Sequence, residues 1–117
     1  MAEKLSRDLM RGSLDLMALS VLSEGAMYGY LLQKKLREAS EGLVRLEAGT
    51  LYPLLHRLEA EGLIAARWEE TTGRPRKWYE LTTAGQGRLH EQAQEWRAYA
   101  DCILRLLQTV DPPPATV

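Results

Sequence analysis

Residues 48–81 read AGTLYPLLHRLEAEGLIAARWEETTGRPRKWYEL, and the hydrophobic pattern changes its period halfway along this segment. In the first half, Leu51, Leu55 and Leu58 fall at i, i+4 and i+7, which places them on one face of a helix. The spacing therefore predicts a helix over 48–61.

Capping and turn residues indicate where this helix begins and what kind of segment follows it. Thr50 is a candidate N-cap, and Pro53 falls in or near the first turn, where a missing N–H has no intrahelical partner to lose. The short runs 63–70 and 77–81 are rich in apolar and aromatic residues, and the six residues between them contain glycine and proline. This arrangement predicts a β-hairpin directly after the helix.

Two further helices precede this segment. Residues 5–23 are apolar around most of the helical circumference, so this helix must be covered on several sides. Residues 28–39 carry an apolar stripe at helical spacing and keep most of their cations outside it. Three helices followed by a hairpin is the element order of a winged helix-turn-helix, whose third helix contacts DNA and whose hairpin forms the wing.

The C-terminal part of the chain is predicted to form one long helix that opens with a capping-box pattern at Thr83. Its apolar residues recur at alternating steps of four and three: Leu89, Ala93, Trp96, Ala100, Ile103, Leu107 and Val110. A helix of roughly 25 residues is about 38 Å long, and the rest of so short a chain cannot cover it. This heptad seam therefore predicts a dimer interface, most simply in a two-fold homodimer.

These segments together predict a mainly α fold with a small β-hairpin. The winged helix-turn-helix domain spans 5–82, the dimerisation helix spans 83–110, and a proline-rich tail over 111–117 is expected to be disordered. The length of 117 residues leaves room for one ordinary domain.

Composition excludes several classes of protein. With 15 Lys+Arg against 16 Asp+Glu the net charge is −1, so the chain is not a uniformly basic DNA-binding protein. The single cysteine indicates a reducing compartment, and we expect the cytoplasm. No apolar stretch is long enough to span a membrane, and the scattered His and Cys residues predict no metal site. Without a nucleophile–base pair, paired acids or a glycine-rich phosphate loop, we predict neither an enzyme nor a cofactor.

Polar side chains opposite the leucine stripe and on the wing are the candidates for DNA contact. They are Thr50, Tyr52, His56 and Arg57 on the third helix and Arg74, Arg76 and Lys77 on the wing. Side chains of these kinds bind base edges and phosphates.

Charge is sorted along the chain in agreement with this assignment. Residues 34–57, which begin with the further candidate Lys34, carry five cations against three anions, and 74–77 carry three cations and no anion. Residues 58–73 between them carry one cation against four anions. A solvated surface is the alternative interpretation of so short a cluster, but the element order favours DNA.

Six motifs between about residues 9 and 88 resemble the PadR family of bacterial transcriptional regulators. They are RGSLDL at 11–16, MYGY at 27–30, GTLYPLLHRLE at 49–59, EGLI at 61–64, GRPRKWY at 73–79 and LTTAG at 81–85. The run at 49–59 is the most specific of them. The single C-terminal helix resembles the small subfamily.

The resemblance implies a dimeric repressor that binds palindromic operators and releases them when an inducer binds. The family's Tyr-Gly-Tyr motif at the start of the second helix matches Tyr28, Gly29 and Tyr30, which makes the two tyrosines candidate DNA contacts. The third-helix and wing motifs of the family match the candidates already named.

Multidrug-responsive members of this family carry a tryptophan on the C-terminal helix that stacks on flat aromatic compounds in the dimer. Trp96 stands in a similar place. By the same comparison, the cavity would be lined by Leu9, Gly12, Leu16 and Ser20 of the first helix and by Glu95, Tyr99 and Ala100 of the last. Two facing indoles would hold planar guests by stacking. The alternative is that Trp96 only fills the seam.

Two hypotheses follow. The first is a homodimeric transcriptional repressor that responds to a small-molecule effector. The alternative is an effector-independent winged-helix module that docks on another protein through the heptad helix. The near-neutral net charge permits the alternative, whereas the basic wing and the specific motif at 49–59 argue against it.

Overall fold

A computed structural model describes residues 10, 12–71 and 73–110. In chain order its elements are α1 (Leu14–Leu22), β1 (Met27–Tyr28), α2 (Gly29–Ala39), α3 (Ala48–Ala60), β2 (Ile64–Thr71), β3 (Arg74–Leu81) and α4 (Thr83–Leu107). The predicted mainly α fold, a winged helix-turn-helix followed by a long helix, is confirmed. The expected start of the first helix at residue 5 and the tail at 111–117 lie outside the described residues.

The sheet has three antiparallel strands in the order β1-β3-β2, one more than the hairpin predicted from sequence. Strand β1 is only two residues long, too short to show a period, and it pairs Tyr28 with Trp78. The predicted six-residue loop at 71–76 is wrong. Strand β2 continues to Thr71 and β3 begins at Arg74, so Arg74 and Arg76 lie within β3. Pro75 is tolerated there because β1 pairs with β3 only at residues 78 and 79, which leaves β3 an edge strand at this point.

The core lies where α1, α2 and α3 meet the base of the sheet. Fully buried side chains from each of these elements, among them Leu19, Leu32, Leu55 and Tyr79, pack in one cluster. The predicted leucine stripe of α3 is buried throughout. The exposed faces of α3 and the wing are thereby fixed relative to each other.

Helix α3 starts earlier than its candidate cap suggested. Its N-cap is Glu47, whose carbonyl accepts hydrogen bonds from the N–H groups of Thr50 and Leu51, both at 2.9 Å. Thr50 is therefore inside the helix, and Pro53 lies in the second turn rather than the first. The helix tolerates the proline on its exposed side.

The end of α3 and the start of α4 are joined by hydrogen bonds. Thr82, not Thr83 as predicted, caps α4: its Oγ1 accepts the N–H of Gly85 at 3.0 Å and donates to the carbonyl of Gly62 at 2.7 Å. The N–H of Thr82 also donates to the carbonyl of Leu63 at 3.1 Å. These bonds fix the long helix against the base of the wing.

Helix α4 is largely uncovered. Gly85 is the only buried residue among its 25, and the helix ends at Leu107, so Val110 lies beyond it. Large apolar side chains remain exposed along its second half, namely Tyr99, Leu104, Leu106 and Leu107. Within the described residues, no helix is long and apolar enough to cross a membrane.

Candidate nucleic-acid interface

A groove separates the start of α2 and the exposed side of α3 from the wing. Its volume is about 430 Å³, and its walls are formed by Tyr28, Gly29, Tyr30, Tyr52, His56, Trp68, Arg76, Lys77 and Tyr79. Six of the predicted DNA contacts, namely Tyr28, Tyr30, Tyr52, His56, Arg76 and Lys77, therefore line one groove although they lie far apart in sequence.

The floor of the groove depends on a glycine. The ring of Tyr52 lies directly on Gly29, where a Cβ atom would collide with the phenol and come within 2.8 Å of its Cζ. The absence of a side chain at Gly29 lets α3 approach the first turn of α2. This contact joins the motif MYGY to the motif GTLYP in space.

Arg76 is held on an aromatic support at one end of the groove. The guanidinium carbon lies 4.7 Å from the centroid of the Tyr28 ring, and Tyr28 makes an edge-to-face contact with Trp78 at 5.3 Å. Stacking of this kind orients a guanidinium while its N–H groups stay available for acceptors. Arg76 itself is exposed.

Lys77 is engaged within the protein more than its sequence position suggested. Its Nζ lies 3.6 Å from a carboxylate oxygen of Glu59 on α3, and 5.5 and 5.9 Å from the ring centroids of Tyr79 and Trp68. The lysine is half-buried and links the wing to α3. Burial, with smaller contributions from nearby Tyr52 and Glu59, raises the pKa of Tyr79 above its ordinary value.

Four predicted contacts lie outside the groove. Thr50, Lys34 and Arg74 are exposed on the surface of α3, α2 and the start of β3. The guanidinium of Arg57 is bound to carboxylates: Nη1 lies 3.1 Å from Asp15 Oδ2 and 3.1 Å from Glu61 Oε2, and Nη2 contacts Asp15 Oδ1. The guanidinium of Arg57 is therefore bound to α1 in the isolated chain, and its contact with DNA stays a prediction.

Sequence reasoning missed three residues of the groove: Gly29 as a floor, and Trp68 and Tyr79 as walls. The alternation of β2 marks Trp68 as a residue of the same face as Ile64, which is buried. Trp68 is nevertheless 67% exposed, because the hairpin extends past the edge of the core. The hydrophobic alternation of a strand does not show which of its residues extend beyond the core.

The surroundings of Trp96 form a second candidate site. A Cβ atom on Gly12 would lie 4.0 Å from Trp96 Cζ2, and the indole makes an edge-to-face contact with Tyr99 at 5.5 Å. Leu16 is half-buried, whereas Ser20, Glu95 and Ala100 are exposed. Leu9 lies outside the described residues. The turn that precedes α1 and the last helix thus meet at Trp96.

A family model for PadR-like transcriptional regulators matches residues 18–91. The chain belongs to the PadR-like family. It is 36% identical over 98 residues to a transcriptional regulator of Mycobacterium tuberculosis, a match that covers 84% of this chain and 89% of the relative.

Solved structures of PadR-like and other transcriptional regulators share the fold. A transcriptional regulator from Clostridium thermocellum has a TM-score of 0.79 and 32% identity, and the match covers 89% of this chain and 99% of that one. A PadR family regulator from Eggerthella lenta has a TM-score of 0.77 and 40% identity, with coverage of 87% and 88%. This PadR-like protein is a DNA-binding transcriptional regulator and not an enzyme.

Proposed function

We propose that this chain is a homodimeric repressor that binds a palindromic operator through α3 and the wing, and that a small, planar aromatic effector at the dimer interface releases it. The observation that carries the proposal is the groove. It brings Tyr52 and His56 of α3 beside Arg76 of the wing.

The exposed strip of α3 suits insertion into a DNA groove. At about 100° per residue, Gly49, Pro53, His56 and Ala60 share this strip, and all four are exposed. Three of them are short, so the helix backbone can come close to the bases. The B-DNA major groove is wide enough for one such helix. His56 then supplies a hydrogen-bonding side chain at the middle of the strip.

The wing supplies the phosphate contacts in this proposal. Arg74 and Arg76 alternate along β3 and share one face, because successive residues of a strand point to opposite sides. Both are exposed, and Arg76 is oriented by the ring of Tyr28. Arginine pairs with phosphate through two parallel hydrogen bonds when it is oriented in this way.

Helix α4 supports the homodimer. The seam residues Leu89, Ala93, Trp96, Ala100, Ile103 and Leu107 follow a heptad period, yet none of them is fully buried in the isolated chain. Leu107 is 52% exposed and Leu104 is 62% exposed. A second copy of α4 would remove this apolar surface from water, which is the main favourable term in protein association.

The effector part of the proposal rests on Trp96. Gly12, just before α1, lies beside the indole on which a planar guest would stack, since a Cβ atom there would come within 4.0 Å of Trp96 Cζ2. Among the described residues, Gln92 Oε1 is buried without a hydrogen-bond partner one turn before Trp96. A donor on the guest or on the second protomer would satisfy it. Acridine orange, titrated in the absence of DNA, should bind the wild type and not Trp96→Ala.

The DNA interface is tested by the salt dependence of binding. Anisotropy of a labelled fragment from upstream of the chain's own gene is measured at several KCl concentrations, with unrelated DNA as competitor. For Arg76→Ala we expect weaker binding at every sequence. The slope of log K against log [KCl] should fall by about 0.9 for each phosphate that Arg76 neutralises in the wild-type complex.

Arg105→Ala is the matched control, since Arg105 is an exposed arginine on the last turn of α4, far along the chain from the groove. Its slope should equal that of the wild type. An unchanged slope in Arg76→Ala would refute the wing assignment. Wild-type protein that binds no DNA at low salt would refute the interface as a whole.

A further inference from the structure

Arg57 lies on the flank of α3, between the DNA-facing strip and the core. At about 100° per residue it is about 100° round the helix from His56 and about 140° from Tyr52. Its guanidinium reaches across to α1, where both oxygens of the Asp15 carboxylate accept hydrogen bonds from it. Two-point pairing fixes the orientation of the partners as well as their distance.

The ion pair continues beyond Asp15. Glu61, four residues after Arg57, contacts the same guanidinium at 3.1 Å and contacts Arg88 of α4 at 3.8 Å. The chain of four groups, Asp15–Arg57–Glu61–Arg88, therefore links α1, α3 and α4 and has no net charge. Hydrogen bonds to Asp15, with further help from Glu61, raise the pKa of Arg57 against the opposing effect of burial.

A second ion pair holds the other flank of α3. Glu59 contacts Lys77 of the wing at 3.6 Å. Helix α3 is thus attached by charged groups on both sides of its exposed strip: to α1 through Arg57 and to the wing through Glu59. A rotation of α3 about its own axis would stretch one of these pairs.

We propose that Arg57 is a positioning residue, which sets the rotation of α3 relative to α1 and α4 by binding Asp15 and does not itself contact DNA. The proposal rests on the function proposed above, in which α3 faces DNA. It distinguishes Arg57, whose guanidinium binds Asp15 and Glu61, from Arg76, which lines the groove. Replacement of either Arg57 or Asp15 should then weaken the discrimination between DNA sequences. The electrostatic attraction to phosphate should stay unchanged.

Two DNA probes separate these effects. One is a labelled 24-base-pair duplex of random sequence, and the other is a duplex enriched from a random library by the wild-type protein. Affinities of the wild type, Arg57→Gln, Asp15→Asn and the double variant are measured by anisotropy over a range of KCl concentrations. Urea unfolding of each variant shows whether it is folded under the conditions of binding.

We expect Arg57→Gln and Asp15→Asn each to weaken binding to the enriched duplex by about three- to tenfold, and the double variant to be no worse than either single variant. Affinity for the random duplex and its salt slope should stay at the wild-type value. A purely structural loss would instead lower the affinities for both duplexes by the same factor.

The opposite pattern would overturn the proposal. If Arg57 binds phosphate, Arg57→Gln lowers the salt slope by about 0.9 for each phosphate it neutralises, and Asp15→Asn strengthens binding by removing a carboxylate near the DNA. The direction of the Asp15→Asn effect decides the question even if Arg57→Gln fails to fold. Absence of DNA binding by the wild type would refute the proposed interface, and this inference with it.

Discussion

Gly85 is the residue at which a single added methyl group should do most damage. It is buried at the start of α4, and an ideal Cβ built on it collides with the carbonyl oxygen of Leu63 and lies 3.0 Å from the carbonyl carbon. The same atom lies 3.2 Å from Leu81 Cδ2. The obstacle is mainly backbone, so no rotamer change can relieve it.

The loss of stability in Gly85→Ala can be estimated from the displacement of α4 that the added methyl group requires. To restore an ordinary separation of about 3.5–4.0 Å between carbon atoms, α4 must shift away from the base of the wing. The shift strains the hydrogen bonds from Thr82 to Leu63 and from Gly85 to Thr82. Overpacking costs about 1–3 kcal/mol, and loss of these two hydrogen bonds costs about 1 kcal/mol each. Alanine's better helix propensity returns at most about 1 kcal/mol, so Gly85→Ala should lower the free energy of unfolding by about 2–4 kcal/mol.

Gly87→Ala is the matched control on the same helix. Gly87 is exposed, and a Cβ atom there would meet nothing within 4 Å. Only the helix propensity changes, and the free energy of unfolding should rise by about 0.5–1 kcal/mol. The two substitutions are chemically identical and differ in sign of effect because of their surroundings.

Urea unfolding, followed by tryptophan fluorescence and far-UV circular dichroism at one fixed protein concentration, measures both effects. With a slope of about 1–3 kcal/mol per molar urea, the midpoint of Gly85→Ala should fall by at least about 0.7 M. A Gly85→Ala variant as stable as the wild type would show that α4 does not rest on the Leu63 carbonyl.

Three further predictions concern other parts of the chain. Glu41 has a φ of 53°, a left-handed conformation that suits glycine, so Glu41→Gly should raise the free energy of unfolding by about 0.5–1 kcal/mol in the same urea assay. The raised pKa of Tyr79 means that the unfolded chain loses this proton first. The contribution of Tyr79 to the free energy of unfolding should be fully present below pH about 10 and decline as the pH rises further. Tyr79→Phe should reduce that decline when the free energy of unfolding is measured against pH. Leu107→Glu should give a monomeric mass by light scattering, whereas Arg105→Glu, about 160° away round α4, should leave the mass unchanged; a dimeric Leu107→Glu would contradict the seam.

Local pattern was sufficient for the order of the helices and the hairpin and for much of the candidate site. The leucines of α3 recur at helical spacing because one side of the helix is buried. The period changes in the hairpin because successive residues of a strand point to opposite faces. Both periods can be recognised from residues that are close together in the chain. The motif with Tyr52 and His56 and the cations of β3 were identified for the same reason.

Other features required contacts between residues far apart in the chain. Whether Arg57 faces DNA or α1 depends on Asp15, 42 residues earlier, coming within hydrogen-bond distance. The two-residue strand β1 exists only because β3 offers it a partner.

The helices, the hairpin and the family could be identified from the amino-acid sequence, because hydrophobic period and short motifs are encoded within a few residues of one another. Three features became visible only in the folded chain: Tyr52 lies on Gly29, Lys77 is bound to Glu59, and Trp68 is exposed beyond the core. Charge and size alone do not fix the partner of a long side chain, since that partner is whichever group the packing of the core brings within reach.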